Sequence, residues 1–283
     1  MLAYRHAFHA GNHADVLKHL TLVQVLRRMV EKDKPFTLID THAGAGGYSL
    51  EGRYAQQHAE YESGIARLWG RNDLPAALAD YVALVKRFND GGKLKQYPGS
   101  PAFANLLLRE TDPLVLHELH PTDERILRAY LGARPHTKVV MGDGFAALAK
   151  ALPPPSRRGV VLIDPPYELK TDYAKTVGAV RTALERFATG VVLVWLPQVA
   201  IVEARELPKR LTNAAAAAPK GWLHARLTVA PAGERGLGLQ GSSMFVVNPP
   251  HGLAETLREV LPFLATTLAQ FDGASHALEL HLA

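Results

Sequence analysis

The stretch GVVLIDPPYE, residues 159–168, combines an apolar run with an acid, two prolines and an aromatic residue. Proline has a fixed φ angle and no backbone N–H group, so the two prolines end a strand and fix the direction of its last carbonyl groups. Asp164 and such a carbonyl group can accept both N–H bonds of an aromatic amine, while Tyr167 stacks on the same flat molecule. Taken alone, the motif is equally consistent with a strand-stop turn.

Three further stretches carry acidic or glycine residues directly after a predicted strand. The glycines of LIDTHAGAGGY (38–48) allow a sharp turn and the close approach of a ligand. Glu118 can hold both hydroxyl groups of a ribose. Asp143 can accept from an adenine amine while Gly144 leaves room for the ring, although Asp143 alone would be interpreted as a helix cap. With Asp164, these elements predict S-adenosylmethionine bound across the sheet edge, its methyl group aimed at the fourth strand.

This arrangement suits methylation of an exocyclic adenine amine. The lone pair of that amine is delocalised into the ring, which makes the nitrogen a poor nucleophile. Hydrogen bonds to Asp164 and to the carbonyl group of Pro165 draw the lone pair toward the methyl donor. A fixed carboxylate also stabilises the charge that grows on nitrogen, and one such contact contributes about 3–4 kcal/mol. We therefore assign catalysis to Asp164, and leave open whether it takes the proton itself.

Apolar β-branched runs alternate with helical patterns, which predicts an α/β fold with a doubly wound sheet. Several runs lack polar alternation, as strands buried on both faces do. The last two runs predict an antiparallel hairpin, and the alternating stretch 275–283 can add a further strand. The predicted strands are 36–40, 114–119, 137–142, 159–164, 190–197, 223–230 and 242–250. The predicted helices are about 12–32, 122–133, 144–151, 172–187, 199–211 and 252–271.

The connection between the first two strands is too long for an ordinary crossover of about thirty residues. We predict that residues 52–97 form a small helical insertion, and that 1–51 and 98–283 form one Rossmann-like domain. The exit of the insertion, KRFNDGGKLKQYPGSP (86–101), is basic. It is interpreted either as a solvated loop or as a lobe that contacts phosphate groups.

The composition is that of an ordinary globular chain. The chain has 283 residues, of which 47% are hydrophobic, a net charge of +5 and no cysteine. The lack of cysteine excludes disulfides and thiolate metal sites, and no apolar run is long enough to span a membrane. No apolar core of a signal peptide follows the first residues, so we expect a cytoplasmic protein. The mildly basic charge is compatible with a nucleic-acid partner.

Two other patterns admit a functional interpretation. His6, His9 and His13 have helical spacing and could ligate a metal, but no supporting carboxylate pattern follows, and we expect no metal. The stretch NPPH (248–251) shares its prolines with DPPY, but it lacks the aromatic residue and follows the late hairpin. We interpret NPPH as structural.

Five motifs carry a resemblance to a known family: YRHAFHAGNHADVLKH (4–19), IDTHAGAG (39–46), YPGSP (97–101), DPPYE (164–168) and GSSMFVVNPP (241–250). Through them the chain resembles the RlmJ family of bacterial methyltransferases, and the long opening motif is the most specific. The resemblance implies a Rossmann-like S-adenosylmethionine-dependent methyltransferase sheet with a small helical insertion after the first strand. It also implies methylation of N6 of one adenine in 23S ribosomal RNA.

The resemblance further implies roles for individual residues, with Asp164 as the catalytic one. Tyr4 would meet the RNA, assisted by His6 and Lys18. Tyr167 is assigned to the RNA separately, by its predicted stacking on the base. His251 stands where the family has a bulky aromatic residue, which weakens a stacking role at that position. We expect a monomer. The residues implied to line the S-adenosylmethionine site are His19, His42, Ser100, Glu118, Asp143, Gly144 and Asp164.

Three alternatives remain open on the residues alone. DPPY also serves adenine-N6 methylation of DNA, although the chain has no evident separate domain for recognising a DNA sequence. A related turn can position an amide or amine of a protein substrate. A catalytically silent RNA-binding or methyl-donor-sensing protein is the third alternative, which the intact set of Gly44, Glu118, Asp143 and Asp164 disfavours.

Overall fold

An eight-stranded sheet forms the centre of the computed structural model, which describes residues 6–231, 233 and 238–281. A two-stranded ribbon forms a second sheet. The strands are β1 (Thr37–Asp40), β2 (Gly47–Ser49), β3 (Gln96–Pro98), β4 (Leu114–Glu118), β5 (Thr137–Met141), β6 (Gly159–Ile163), β7 (Val191–Gln198), β8 (Trp222–Thr228), β9 (Gly241–Val247) and β10 (Ser275–His281). The helices are α1 (His13–Val30), α2 (Arg53–His58), α3 (Ala66–Trp69), α4 (Ala76–Phe88), α5 (Ser100–Leu107), α6 (Pro121–Leu131), α7 (Gly144–Ala151), α8 (Lys170–Arg186), α9 (Val202–Ala214) and α10 (Leu253–Thr267).

The strand order of the large sheet is β10-β8-β9-β7-β6-β1-β4-β5. Strands β5, β4, β1, β6 and β7 run parallel, whereas β9 is antiparallel to both β7 and β8. The chain moves from β1 outward to β5 and then returns to the other side of β1 at β6. This reversal creates a crevice at the carboxyl ends of β1 and β6, where doubly wound sheets bind their ligands. The predicted late hairpin and the added C-terminal strand are both present.

The apolar runs without alternation are buried on both faces of the sheet. In β6, Val160 packs into one hydrophobic cluster and Val161 into the other, and Val191 and Val192 of β7 divide in the same way. One cluster includes residues of α1, α4, α5 and α10, and the other includes residues of α8 and α9. Because helices cover both faces, successive strand residues are all withdrawn from water.

Helix α1 is a largely buried element that supports the site. Asn12 caps its first turn, with the side-chain oxygen accepting from the amides of Ala14 and Asp15. The helix packs between the large sheet and the helices of segment 52–97, so even its polar residues Lys18 and His19 are buried. Their charge and hydrogen-bonding capacity must therefore be satisfied within the protein.

Segment 52–97 leaves and re-enters the rest of the chain through the ribbon. Tyr48 of β2 pairs with Tyr97 of β3 in antiparallel register, which brings the two ends of the segment together. Helices α2, α3 and α4 lie between these ends, and Leu68 and Val85 pack into the same cluster as α1. The helical content expected of the segment is present. The short ribbon and α5 were not predicted, and the division into two domains stays a prediction.

In the described part of the chain, no helix has the length and apolar character needed to cross a membrane.

Candidate active site

A cavity of about 500 Å³ opens at the carboxyl edge of the sheet, in the crevice beside β1 and β6. Residues from α1, from the loops after β1, β4 and β6 and from the end of β7 meet there. The predicted site residues that line it are His6, Lys18, His19, His42, Gly44, Ser100, Glu118, Asp164 and Tyr167. The sequence did not point to several other lining residues, among them Asp15, Tyr48, Asp123 and Trp195.

Lys18 connects α1 to the DPPY turn. Its Nζ lies 2.6 Å from Oδ2 of Asp164 and 2.8 Å from Oδ1 of Asp15. The Lys18 side chain is 5% exposed and that of Asp164 is 14% exposed, so water screens this ion pair weakly. Burial raises the pKa of Asp164, and Lys18 opposes that rise. Burial by itself would lower the pKa of Lys18, but Asp15 and Asp164 raise it above its usual value.

The ion pair leaves half of the Asp164 carboxylate available. Lys18 bonds to Oδ2, and within the described residues no side-chain hydrogen bond is made to Oδ1. A carboxylate oxygen accepts up to two hydrogen bonds, so Oδ1 can accept an N–H group of a bound amine. The resemblance had placed Lys18 beside the RNA, and the structure places its ammonium against the predicted catalytic carboxylate.

Asp15 anchors the lysine and was missed from the sequence. Its Oδ2 accepts from Nε2 of His6 and from the amide of Gly11, both at 2.9 Å. Burial alone would raise its pKa, but His6, Lys18 and His19 hold the pKa well below its usual value. The spacing of Asp15 and Lys18, three residues apart on one helix face, was the available signal.

Glu118, at the end of β4, holds the glycine-rich loop. Its Oε2 accepts from the amide of Gly44 and its Oε1 from the amide of His120, both at 2.7 Å. Burial raises the pKa of Glu118, while these amides oppose the rise. Each oxygen keeps a second lone pair, so the carboxylate can still accept from two hydroxyl groups of a ligand. Gly44 has φ +63°, and a Cβ there would meet the Tyr48 hydroxyl at 2.2 Å.

Asp40, the last residue of β1, is fully buried and was not identified from the sequence. Its Oδ2 accepts from the Ser100 hydroxyl at 2.6 Å, and its Oδ1 accepts from the His42 amide at 3.1 Å. Burial raises the pKa of Asp40 to about 7, against the lowering effect of these two donors, and Asp164 adds to the rise. Asp40 thus joins the start of α5 to the loop that follows β1.

Two predicted histidines line the cavity as neutral side chains. Nδ1 of His19 lies 2.8 Å from the Tyr97 hydroxyl, and burial lowers the pKa of His19 well below its usual value. Burial also lowers the pKa of His42 to about 4. The His42 ring meets Phe145 edge-on, with centroids 4.6 Å apart, and its Nδ1 lies 2.8 Å from Oγ1 of Thr41. Neutral imidazoles can both donate and accept hydrogen bonds toward a ligand.

Asp143 and Gly144 are not among the residues that line the cavity. The Asp143 side chain caps α7 and accepts from the amides of Phe145 and Ala146. A Cβ at Gly144 would meet the backbone of Thr41, 2.2 Å from its oxygen. This glycine therefore allows α7 to approach the end of β1 closely. The predicted contacts of Asp143 and Gly144 with an adenine stay predictions.

Tyr167 adopts a left-handed backbone with φ +54°, which is unusual for a bulky residue and marks a constrained turn. Its hydroxyl donates to the backbone oxygen of Trp195 at 2.8 Å. Its ring packs against Tyr173 and Trp195, with centroids 4.7 and 5.9 Å away. The side chain is 8% exposed, so only a small part of the ring faces the cavity.

Two other predicted features concern residues near the N-terminus. Tyr4 lies outside the described residues. Within the described ranges, no group of three or more histidine, aspartate or glutamate side chains is arranged to hold a metal ion. His6 and His9 instead contact Asp15 and Glu60, each at 2.9 Å.

The donor set of the cavity fits S-adenosylmethionine. Carboxylates line it, including Asp15, Glu118, Asp123 and Asp164, and such a lining favours a ligand that carries a positively charged sulfonium and ammonium. Glu118 keeps acceptor capacity for ribose hydroxyls, and Gly44 lets the loop approach without a side chain. The doubly wound sheet and this site at its switch point define a Rossmann-like, S-adenosylmethionine-dependent methyltransferase, so the predicted fold class is confirmed.

Comparisons with known proteins identify the family. A family model described as "Ribosomal RNA large subunit methyltransferase D, RlmJ" matches residues 33–279. Ribosomal RNA large subunit methyltransferase J of Escherichia coli is 46% identical, with 98% of this chain and 97% of the relative covered. The protein of that name from Haemophilus influenzae is 42% identical, with 99% and 98% covered. The crystal structure of LPL1258 from Legionella pneumophila has a TM-score of 0.87 and 33% identity, covering 96% of this chain and 98% of that one. The chain belongs to the RlmJ family.

Proposed function

We propose that this protein transfers the methyl group of S-adenosylmethionine to N6 of an adenine in 23S ribosomal RNA. Family membership supports the ribosomal RNA substrate. The observation that carries the chemistry is the Asp164 carboxylate, held by Lys18 through one oxygen at the cavity while the other oxygen remains open to an amine. The monomeric state and the cytoplasmic location remain predictions.

Asp164 is proposed as the catalytic residue. Its open oxygen accepts one N–H bond of the adenine amine, and the carbonyl oxygen of Pro165 accepts the other. Burial raises the pKa of Asp164, and the Lys18 ammonium opposes that rise and orients the carboxyl group. The carboxylate then stabilises the positive charge that develops on nitrogen. S-Adenosylmethionine, when bound, supplies the electrophilic methyl group.

The remaining site residues are proposed to bind and orient the two reactants. Glu118 receives the ribose hydroxyls of the methyl donor, and Ser100, His19 and His42 line the donor's side of the cavity. The backbone around Asp143 and Gly144 is proposed to border the donor's adenine. The proposed contacts to RNA are those of Tyr4, His6, Lys18 and Tyr167.

The experiment that tests the function compares substrates under identical conditions. Purified protein is incubated with radiolabelled S-adenosylmethionine and either unmodified 23S ribosomal RNA, duplex DNA or a protein extract. We expect label in the RNA, recovered as N6-methyladenosine after nuclease digestion. Label that appears mainly in DNA or in protein would contradict the proposal and favour the corresponding alternative.

A variant tests the catalytic assignment. Asp164→Ala removes one acceptor of the amine, and we expect the rate to fall at least about a hundredfold while the donor binds nearly normally. Asp272→Ala, which removes an exposed carboxylate outside the cavity, is the matched control and keeps the full rate. Single-turnover rates and calorimetric titration with S-adenosylmethionine separate chemistry from binding. A wild-type rate in Asp164→Ala refutes the assignment.

A further inference from the structure

A second cavity, of about 410 Å³, opens at the opposite edge of the sheet, where β6 and β7 begin and β9 ends. We call it the amino-edge groove. Five separate parts of the chain contribute to it: the end of α1, the turn before β6, the loop before β7, the segment before β8 and the segment after β9. Its lining residues are Arg28, Met29, Glu31, Lys32, Arg157, Arg158, Gly159, Phe187, Thr189, Val191, Lys220, Asn248, Pro250 and His251.

The amino-edge groove is strongly basic. Five of its lining side chains are lysine or arginine, and Glu31 is the one carboxylate among the described lining residues. Glu31 pairs with Arg28 at 3.0 Å. Lys32, Arg157 and Lys220 are exposed, and no carboxylate of the described chain lies within 4.0 Å of them. Three positive charges therefore lie on one concave surface with no carboxylate partner among the described residues.

The groove is built by specific contacts. Asn248, the first residue of NPPH, has φ +52°, and its side-chain amide donates to the backbone oxygens of Ala188 and Gly190 at 2.8 Å each. Its side-chain oxygen accepts from the amide of Lys220 at 3.0 Å. Asn248 thereby ties together the loops before β7 and β8, which form two walls of the groove. These contacts agree with the interpretation of NPPH as a structural motif, since its asparagine holds the walls of the groove together.

Arg158 has a different role from its neighbours. Its guanidinium donates to the backbone oxygens of Met29 and Lys34, so it caps the carbonyl end of α1. This arrangement offsets the partial negative charge that a helix end would otherwise present to an anion in the groove. The adjacent Arg157, with φ +50°, turns outward and is exposed.

The charge of the amino-edge groove is opposite to that of the 500 Å³ cavity at the carboxyl edge, which we call the reaction cavity. Apart from histidines, the described charged residues of the reaction cavity are Asp15, Glu60, Glu118, Asp123, Asp164 and Lys18. Such a lining attracts a cationic methyl donor and repels the phosphate groups of RNA. Since phosphate contacts supply most of the affinity for nucleic acids, an enzyme with this cavity needs basic surfaces elsewhere.

We propose that the amino-edge groove binds the sugar–phosphate backbone of the substrate RNA at a distance from the adenine that is methylated. The inference rests on the proposed function and deepens it. A five-residue strand spans about 17 Å, so the two edges of the sheet are separated by a distance comparable to a few base-pair steps, roughly 3.4 Å each. An RNA that extends around the domain from the reaction cavity can therefore reach Lys32, Arg157 and Lys220.

The test is a triple variant, Lys32→Gln, Arg157→Gln and Lys220→Gln. Each lost phosphate contact lowers the slope of log Kd against log salt by about 0.7–0.9, so the slope falls by about 2–3. We expect the Kd for 23S ribosomal RNA to rise at least tenfold near 0.1 M salt. Binding of S-adenosylmethionine and kcat at saturating RNA stay unchanged, because the substituted side chains lie outside the reaction cavity.

A matched triple variant controls for net charge. This control removes three exposed cations that do not line the groove, through Lys138→Gln, Arg181→Gln and Arg205→Gln. An equal loss of RNA affinity in both triple variants, or an unchanged salt slope in the groove variant, overturns the proposal. The RNA is also trimmed stepwise around the methylated position, and a fragment too short to reach the groove should bind wild type and groove variant equally. If the wild-type enzyme methylates no RNA, the proposed function is refuted. If the wild type methylates RNA but the groove variant binds RNA as the wild type does, only the proposal about the groove is refuted.

Discussion

Replacing the buried Asp40 by asparagine should remove a specific part of the pH dependence of stability. The pKa of Asp40 is about 7 in the folded protein against 3.8 ordinarily, because burial disfavours its charged form. Asparagine has the shape of the protonated acid. Its oxygen can accept from the His42 amide, as Oδ1 of Asp40 does. Its NH2 group can donate to the Ser100 oxygen, which reverses the direction of the Ser100–Asp40 hydrogen bond but keeps the contact, as a protonated carboxyl group would.

The size of the effect follows from proton linkage. A raised folded pKa means that the folded state holds a proton that the unfolded state has released, so stability falls as the pH rises between the two pKa values. At 1.36 kcal/mol per pKa unit, wild type loses about 2–3 kcal/mol from Asp40 between about pH 5 and pH 8. The asparagine variant has no such group and loses none of it. Relative to wild type, Asp40→Asn should therefore gain stability by that amount over the range.

Urea unfolding followed by tryptophan fluorescence at several pH values measures this difference. Asp112→Asn is the control, since Asp112 is equally buried but Arg109 keeps its pKa below the usual value. Asp112 is ionised in both folded and unfolded states above about pH 5, so its substitution costs the same free energy across the range. A free-energy difference between wild type and Asp40→Asn that does not change with pH would refute the argument that Asp40 is held neutral by burial.

Two further changes probe the site. In Lys18→Met, the loss of the ammonium should raise the pKa of Asp164, so the acid limb of the kcat–pH profile moves to higher pH. In Lys18→Arg the charge is kept, and the acid limb should return part of the way to its wild-type position. Identical profiles in wild type and both variants would contradict this role of Lys18. Gly44→Ala places a Cβ at φ +63° against the Tyr48 hydroxyl and should raise the Kd for S-adenosylmethionine about tenfold, from strain of about 1–3 kcal/mol. Calorimetric titration checks this, with Gly178→Ala as control because a Cβ there meets nothing within 4 Å.

The opposite charges of the two cavities suit them to different ligands. The acidic reaction cavity is suited to a small cationic donor, and the basic amino-edge groove is suited to a polyanion. An arrangement of this kind allows RNA affinity and donor affinity to be changed independently. It also predicts that added salt weakens RNA binding more strongly than donor binding, because exposed charges are screened and buried ones are not.

Local patterns were sufficient to predict much of the large sheet. The runs GVVLI (159–163) and GVVLVWLP (190–197) are apolar at every position, as strands covered on both faces are. The polar residues at the ends of such strands meet at one edge because parallel strands share a direction. For this reason the sequence predicts Gly44, Glu118 and Asp164 at one edge, and they line one cavity.

Other parts were beyond local patterns. The α5 helix and the ribbon of β2 and β3 are short, and their stability comes from packing around α1 and not from an extended periodicity. Asp143 illustrates the same limit in the site. Asp143 follows the end of β5 and Glu118 ends β4, so both lie at the same edge of the sheet, yet the carboxylate of Asp143 caps α7 while that of Glu118 holds the glycine-rich loop.

The amino-acid sequence by itself determined the order of the strands along the chain, the edge at which the candidate site lies and the DPPY turn that is suited to an amine. Only the tertiary structure decided that Lys18 and Asp15 join Asp164, that burial raises the pKa of Asp40 to about 7 and that five basic side chains gather at the far edge. The physical reason is that charge interactions depend on burial and on distances of a few ångströms between residues more than a hundred positions apart, which no local pattern encodes.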